Sequence, residues 1–357
     1  MKFEERLFSY WNLSARMTSK IVAGRAATRD SSSVLNWANP DRRSDDTTGW
    51  LQGNHVVPRH EKSLSKNDYS FIRNFGENIM GNGYNASEYV AHVGNTISTH
   101  LDNDLLKKHI SYHINRYISL TGKSIESLHF PKVCKLSGYT NSDSGDNVFI
   151  PYTAPRLGYY ANTISEFYKS NNSDSSIRSI MEIGGGWGAL CYLLKKNTEN
   201  ISSYVIVDIP TTISTAATFL NEAGMTVLFP SEVNPDTDFS SVDCVFLEKE
   251  QVSQLTDNFF DIIVCANCIT ELDTKLIDFY LKQSLRLSNF MYIDSPIQGN
   301  SGTYLRNKIR ELKCKVETRR TPITPYYPPW TSTMDEKETF QEFCLTFNSF
   351  LRMYENE

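Results

Sequence analysis

Ser179-Ile180-Met181-Glu182-Ile183-Gly184-Gly185-Gly186-Trp187-Gly188 is the stretch whose reading decides the fold. An apolar, strand-like run ends at Glu182-Ile183, passes into four glycines interrupted by one tryptophan, and meets a helical pattern beginning at Ala189. Glycine is needed there because the turn is tight and the backbone must come within hydrogen-bonding distance of a ligand, while the helix that follows presents unpaired N–H groups. Twenty residues past Gly188, Asp208 closes a second apolar run, SYVIVD, where a carboxylate can accept both hydroxyls of a ribose. Strand, glycine loop, helix, strand and acid stand in the order of a nucleotide-binding βαβ unit.

Working outward, the runs IRSIMEI, SYVIVDI, MTVLF, CVFL, FFDIIVCAN and FMYID alternate with helical stretches, which predicts a parallel sheet built from right-handed βαβ units. Two further runs, 312–322 and 341–348, flank a Pro-rich loop and are expected to close the sheet as an antiparallel pair. Polar stretches at 141–147 and 171–176 bracket a helix expected over 153–169, which carries Arg156, Tyr159, Tyr160 and Tyr168. Helical spacing also marks 3–24, 67–80, 86–100 and 102–120, whereas 28–66 shows little periodicity and reads as a long loop. The expected organisation is a helical N-terminal region, 1–135, covering an acceptor cleft, and an α/β domain over 136–357.

The glycine motif alone does not choose the ligand. Gly184, Gly186 and Ala189 also satisfy G-x-G-x-x-A, the dinucleotide fingerprint, and a purely structural glycine turn is the third reading. Glu182 tips the balance: a carboxylate at the strand end repels a pyrophosphate but attracts the cationic methionine portion of S-adenosylmethionine (SAM).

Glu182-x-Gly184-x-Gly186-x-Gly188 followed by the strand-terminal Asp208 resembles class I SAM-dependent methyltransferases. Asp208-Ile209-Pro210, Gln251, and FFDIIVCANCITEL with Thr270-Glu271-Leu272 extend the resemblance to the sugar O-methyltransferase family, as does Trp11 after Phe8-Ser9-Tyr10. The resemblance is strong over 178–295 and weak over 25–130, and Cys265 to Ile269 depart from that family's usual Asn-rich letters. It implies a Rossmann-like sheet with SAM as cofactor and a sugar hydroxyl as methyl acceptor. Glu182, Gly184, Gly186 and Gly188 would then contact the methionine part, Asp208 the ribose, and Ile209 and Gln251 would lie beside the adenine. Trp187 would shield the sulfonium or pack as core, and Arg156 with Tyr160 would clasp the methionine carboxylate or serve as ordinary surface and core.

A sugar hydroxyl is a poor nucleophile until it loses its proton, so such chemistry needs a general base or a metal. Glu271 and Asp294 follow the fourth and fifth strands at the carboxyl edge and are the candidate bases. A divalent cation held by the two is the alternative, but no third ligand is identifiable, so a metal-free base is expected. All seven histidines fall within the first 129 residues, so a His base, from His109, His113 or His129, would have to fold over the sheet. Tyr326, Tyr327 and Trp330, on the Pro-rich loop 321–330, offer aromatic faces to a pyranose or to an oligomer contact. Arg306, Lys308, Arg310, Lys313, Lys315, Arg319 and Arg320 form a local basic cluster, either an anionic-sugar site or a solvated face.

Composition sets the limits. The 357 residues are 40% hydrophobic and 22% charged, enough to bury a large core, and the net charge of -5 removes the general attraction to polyanions. The expected partner is a small-molecule or saccharide acceptor, without nucleic acid and without membrane insertion, and a homo-oligomer is compatible with the aromatic loop. Glu4 and Glu5 do not fit a signal peptide, and no long apolar run occurs, so a cytoplasmic location is expected. The seven cysteines read as reduced core thiols, since the single pair Cys265-x-x-Cys268 lacks the further ligands a zinc site needs.

Overall fold

The structure, a computed structural model, describes residues 1–26, 66–73, 103–136, 138–141, 148–151, 153–172, 176–296, 299–312, 314–323 and 340–347. Among the described residues, three helices come first: α1 (Phe3–Ala26), α2 (Lys66–Arg73) and α3 (Asn103–Thr121). A two-stranded antiparallel ribbon, β1 (Gly138–Asn141) and β2 (Val148–Pro151), leads into α4 (Ala154–Asn171). Pro155 in the first turn of α4 suits a position whose N–H has no helical partner. The predicted helix at 86–100 lies outside the described residues, as does the predicted loop at 28–66 except for Lys66, which opens α2.

The βαβ series follows as β3 (Ser179–Ile183), α5 (Ala189–Asn197), β4 (Ser203–Val207), α6 (Pro210–Glu222), β5 (Val227–Leu228), β6 (Cys244–Leu247), α7 (Lys249–Val252), β7 (Ile262–Ala266), α8 (Thr274–Leu287), β8 (Phe290–Pro296), α9 (Gly299–Glu311), β9 (Cys314–Arg320) and β10 (Phe340–Phe347). The eight-stranded sheet has the order β5-β6-β4-β3-β7-β8-β10-β9. Every pairing is parallel except those of β10, which runs antiparallel to β8 and β9 and closes the sheet as the sequence predicts. This is a Rossmann-like α/β sheet.

Strand alternation explains its two cores. Ile180, Tyr204, Ile206, Val264 and Tyr292 face α4, α5 and α6, while Met181, Val205, Val207, Ile263 and Ile293 face α8 and α9. Each fully buried apolar side chain contributes ~1.5–3 kcal/mol, so the runs that read as strands also supply most of the driving force. Leu7, Tyr10 and Trp11 of α1 and Ile110, Ile114 and Tyr117 of α3 belong to the first of these cores. The N-terminal helices therefore share a core with the sheet, with α1 and α2 against α6 and α3 against α4.

From β3 the chain builds outward to β4 and the edge strand β5, inserts β6 between those two, then returns to the other side of β3 with β7. The sheet thus has a topological switch point between β3 and β7, and ligands of open α/β sheets bind outside the strand ends at such a point.

Candidate functional site

The loops after β3 and β7 meet at the switch point. Gly184 has φ +74, a conformation L side chains rarely adopt, and a Cβ placed there would lie 2.2 Å from the Cys268 sulfur. Glycine at 184 is thus required twice, by the turn and by the Cys268 side chain lying against it. Gly186 has φ +56 and nothing within 4 Å of where its Cβ would be, so the loop opens onto free space. The strand ladders continue into the loops: the Gly184 N–H donates to the Val207 carbonyl at 2.9 Å, and the Asp208 N–H to the Leu247 carbonyl at 3.3 Å. The ends of β3, β4 and β6 therefore form one edge.

Two carboxylates face this edge. Glu182 is 3% exposed and its Oε2 accepts the Tyr204 hydroxyl at 2.8 Å. Burial, joined by the charge of Asp208, pushes its pKa up to about 7 against the pull of that hydrogen bond. Asp208 accepts the Ile209 N–H on Oδ1 at 2.7 Å and the Gly186 N–H on Oδ2 at 3.3 Å, so the glycine loop aims it. Burial pushes Asp208 up to about 7 as well, despite those two backbone donors. A ligand that brings hydroxyl donors and positive charge relieves both groups, whereas a pyrophosphate would add to their repulsion. The residues present fit SAM in that sense.

The structure also brings Arg156, Tyr160 and Asp294 together, in different roles from those expected. Asp294 is fully buried; its Oδ2 accepts Arg156 Nη2 at 3.1 Å and the Tyr160 hydroxyl, and its Oδ1 accepts the Thr321 hydroxyl. With both oxygens occupied and an arginine paired to it, Asp294 is an anchor and not an accessible base. Arg156 and Tyr160 correspondingly hold Asp294. A second anchor stands beside it in the sheet: Glu342, paired to Asp294 across β10–β8, accepts Tyr292 at 3.0 Å, Tyr159 at 3.2 Å and Arg319.

The other expected positions divide as follows. Ile209 caps α6 at the end of β4, beside Asp208. Gln251 stands near the same edge, but its side-chain oxygen accepts the Glu248 N–H at 3.0 Å and its amide donates to the Pro230 carbonyl at 2.9 Å, which commits it to the loop. Trp187 is 5% exposed and packs edge-on against Phe219 at 4.6 Å and near Phe130 at 5.5 Å, as part of the core. The backbone places Glu271 at the end of the 3-10 turn Ile269–Glu271 after β7, while its side chain lies outside the described residues. Tyr326, Tyr327, Trp330 and the side chain of His109 also lie outside them.

Burial, with Arg116 nearby, pushes His113 down to about 4, so its imidazole is neutral at pH 7. The basic cluster disperses, with Lys308 on Glu311, Lys315 on Glu317 and Arg319 on Glu342. The seven cysteines are thiols and not disulfides, and no group of three or more metal-ligating side chains occurs among the described residues. No described helix is long and apolar enough to cross a membrane.

Sequence reasoning missed Tyr204 beneath Glu182 and Cys268 against Gly184. The first had a signal: a tyrosine inside a run such as SYVIV, destined for a buried parallel strand, must find an acceptor for its hydroxyl.

Solved structures similar to this chain include the O-methyltransferase TomG from Streptomyces achromogenes, in complex with SAM, at 12% identity over 73% of this chain and 96% of that one, with a TM-score of 0.37. Magnesium protoporphyrin IX methyltransferase (ChlM) from Synechocystis PCC 6803, with bound SAM, is 11% identical over 71% of this chain and 100% of that one, with a TM-score of 0.36. The METTL16 methyltransferase domain is 12% identical over 73% of this chain and 89% of that one, with a TM-score of 0.38. No protein-family model and no curated protein matches the chain.

Proposed function

We propose that the chain is a SAM-dependent methyltransferase acting on a hydroxyl, with a saccharide as the acceptor class. The observation that carries the cofactor is the pair Glu182 and Asp208, two carboxylates with raised pKa at adjacent strand ends around the open space over Gly186. The sugar acceptor rests on the sequence resemblance over 178–295.

When bound, SAM supplies an electrophilic methyl group on a sulfonium. Glu182 places negative charge beneath the glycine loop, opposite the cationic half of the ligand. Asp208, oriented by the Gly186 and Ile209 N–H groups, accepts ribose hydroxyls. The protein's remaining work is alignment of the acceptor oxygen and exclusion of water. Glu271, after β7 at the switch point, is the candidate to take the acceptor's proton; with Asp294 sequestered, it is the remaining carboxylate of the two expected bases.

Calorimetric titration with S-adenosylhomocysteine and, separately, with NAD tests the cofactor. Binding of the former alone is expected, weakened by about 100-fold or more in Asp208→Ala, as expected when two hydrogen bonds to a charged group are lost. Binding of NAD alone would replace the methyltransferase reading with a dinucleotide one. An acceptor screen with methyl-labelled SAM over saccharides and non-sugar hydroxyl compounds then tests the second part. Glu271→Gln is expected to lower kcat by about 100-fold, the usual worth of a general base, while leaving S-adenosylhomocysteine affinity unchanged. Cofactor binding without transfer to any acceptor would favour a non-catalytic, cofactor-binding role.

A further inference from the structure

Glu248 follows β6 at the same sheet edge as Asp208 after β4, one strand further from the switch point. Its Oε1 accepts two hydroxyls from α1, Tyr10 at 3.0 Å and Ser14 at 3.3 Å. A carboxylate only accepts, so both hydroxyls donate. Tyr10 and Ser14 are 1% and 5% exposed, which means that the chain has buried two polar groups from its start against one oxygen more than 230 residues away.

The register of α1 is fixed independently. Arg6 forms a forked pair with Glu232 through Nε at 2.6 Å and Nη2 at 2.7 Å, and also donates to the Val227 carbonyl. The Tyr10 ring stacks on Phe229 at 5.3 Å, and Phe229 stacks in turn on Phe246 of β6. Residues four apart share a helix face, so this docking delivers Tyr10 and Ser14 to Glu248 together.

We propose that α1 is a wall of the cofactor cleft, and that Tyr10 and Ser14 are positioning residues that aim Glu248 at the amino group of the ligand's base. This rests on the reading of the cleft as a SAM site. Neighbouring strands lie about 4.8 Å apart, so a ligand whose ribose is held by Asp208 at the end of β4 carries its base over the end of β6. A carboxylate there needs a donor, and on an adenine edge that donor is the exocyclic amine. Burial raises the Glu248 pKa, and the Tyr10 and Ser14 hydroxyls pull it back, which keeps an acceptor available. Burial and the charges of Glu248 and Asp208 hold the Tyr10 phenol well above its usual range, so it stays a donor.

The test uses the full chain as wild type, Tyr10→Phe, Glu248→Met and the double variant, with dissociation constants for S-adenosylhomocysteine and S-inosylhomocysteine, in which a carbonyl replaces the amine. Tyr10→Phe keeps the ring on Phe229. Wild type is expected to prefer the adenosyl ligand by about tenfold or more, the size of one charge-assisted hydrogen bond. Glu248→Met abolishes the preference; Tyr10→Phe reduces it by about threefold or more and changes nothing further in the Glu248→Met background. A Tyr10→Phe variant that weakens both ligands equally, or lowers Tm while leaving the ratio intact, makes α1 a structural brace and overturns the proposal. Wild type that binds both ligands equally overturns this inference alone; wild type that binds neither overturns the cofactor reading as well.

Discussion

Two pairs of carboxylates stand at the strand ends of one sheet, and they are treated in opposite ways. Asp294 and Glu342, on β8 and β10, are both 0% exposed and receive six donors between them: Arg156, Tyr160 and Thr321 on one, Arg319, Tyr159 and Tyr292 on the other. Glu182 and Asp208, at the ends of β3 and β4, take neutral donors, and among the described residues no cation is paired with either. Burial alone does not separate the pairs, since Glu182 is as deep as a core residue. The supply of positive charge does. A buried carboxylate with an arginine is finished as a structural element, whereas one without it is left with charge that a ligand can satisfy.

The sharpest way to break this comparison is to remove an anchor. Asp294→Ala removes the carboxylate paired to the buried Arg156 and strips the acceptor from Tyr160 and Thr321, so a loss of about 3–5 kcal/mol in unfolding free energy is expected. Urea unfolding followed by tryptophan fluorescence measures it. A loss below about 1 kcal/mol would mean that solvent reaches this cluster and that the contrast with Glu182 is false.

The cradle is legible in the sequence because its parts are local. The strand, the glycines and Asp208 occupy one βαβ unit of about 30 residues, where spacing and chemistry are read together. The fate of Asp294 is hidden because its arginine lies 138 residues earlier, on α4, the helix that precedes the first parallel strand. From the sequence alone, an acid at a strand end looks the same whether or not a cation reaches it. Gln251 escapes for a similar reason: the Pro230 carbonyl that captures its amide comes from the turn after β5. The basic run near 306–320 reads as a patch only while linear proximity stands in for spatial proximity. In β9, residues two apart share a face, so Lys315 meets Glu317, and Arg319 turns to Glu342. The contact of Tyr10 with Glu248 crosses 238 positions and has only the opening Phe8-Ser9-Tyr10-Trp11 as a trace.

A smaller effect, with a definite sign in pH, sharpens the other half of the comparison. Glu182 has a pKa of about 7 in the folded protein against an ordinary value of 4.5, so the folded state binds its proton more tightly than the unfolded chain does. Its contribution to stability is therefore fully present below about pH 4.5 and is lost as pH rises through about 7. Glu182→Gln keeps an acceptor for the Tyr204 hydroxyl and removes this dependence, and it also relieves Asp208 of a neighbouring charge. The variant is expected to match wild type at pH 5 and to exceed it at pH 8 by about 1–2 kcal/mol, since a tenfold difference in proton affinity is worth about 1.4 kcal/mol and part of the penalty relaxes. Urea unfolding of both proteins without ligand, at the two pH values, measures the gap. Repeating the pH 8 measurement with saturating SAM should narrow it, because the ligand's positive charge meets the Glu182 carboxylate and has no partner in the variant. A gap that is the same at pH 5 and pH 8 would mean that Glu182 is compensated within the protein, like Asp294, and is not poised for a cation.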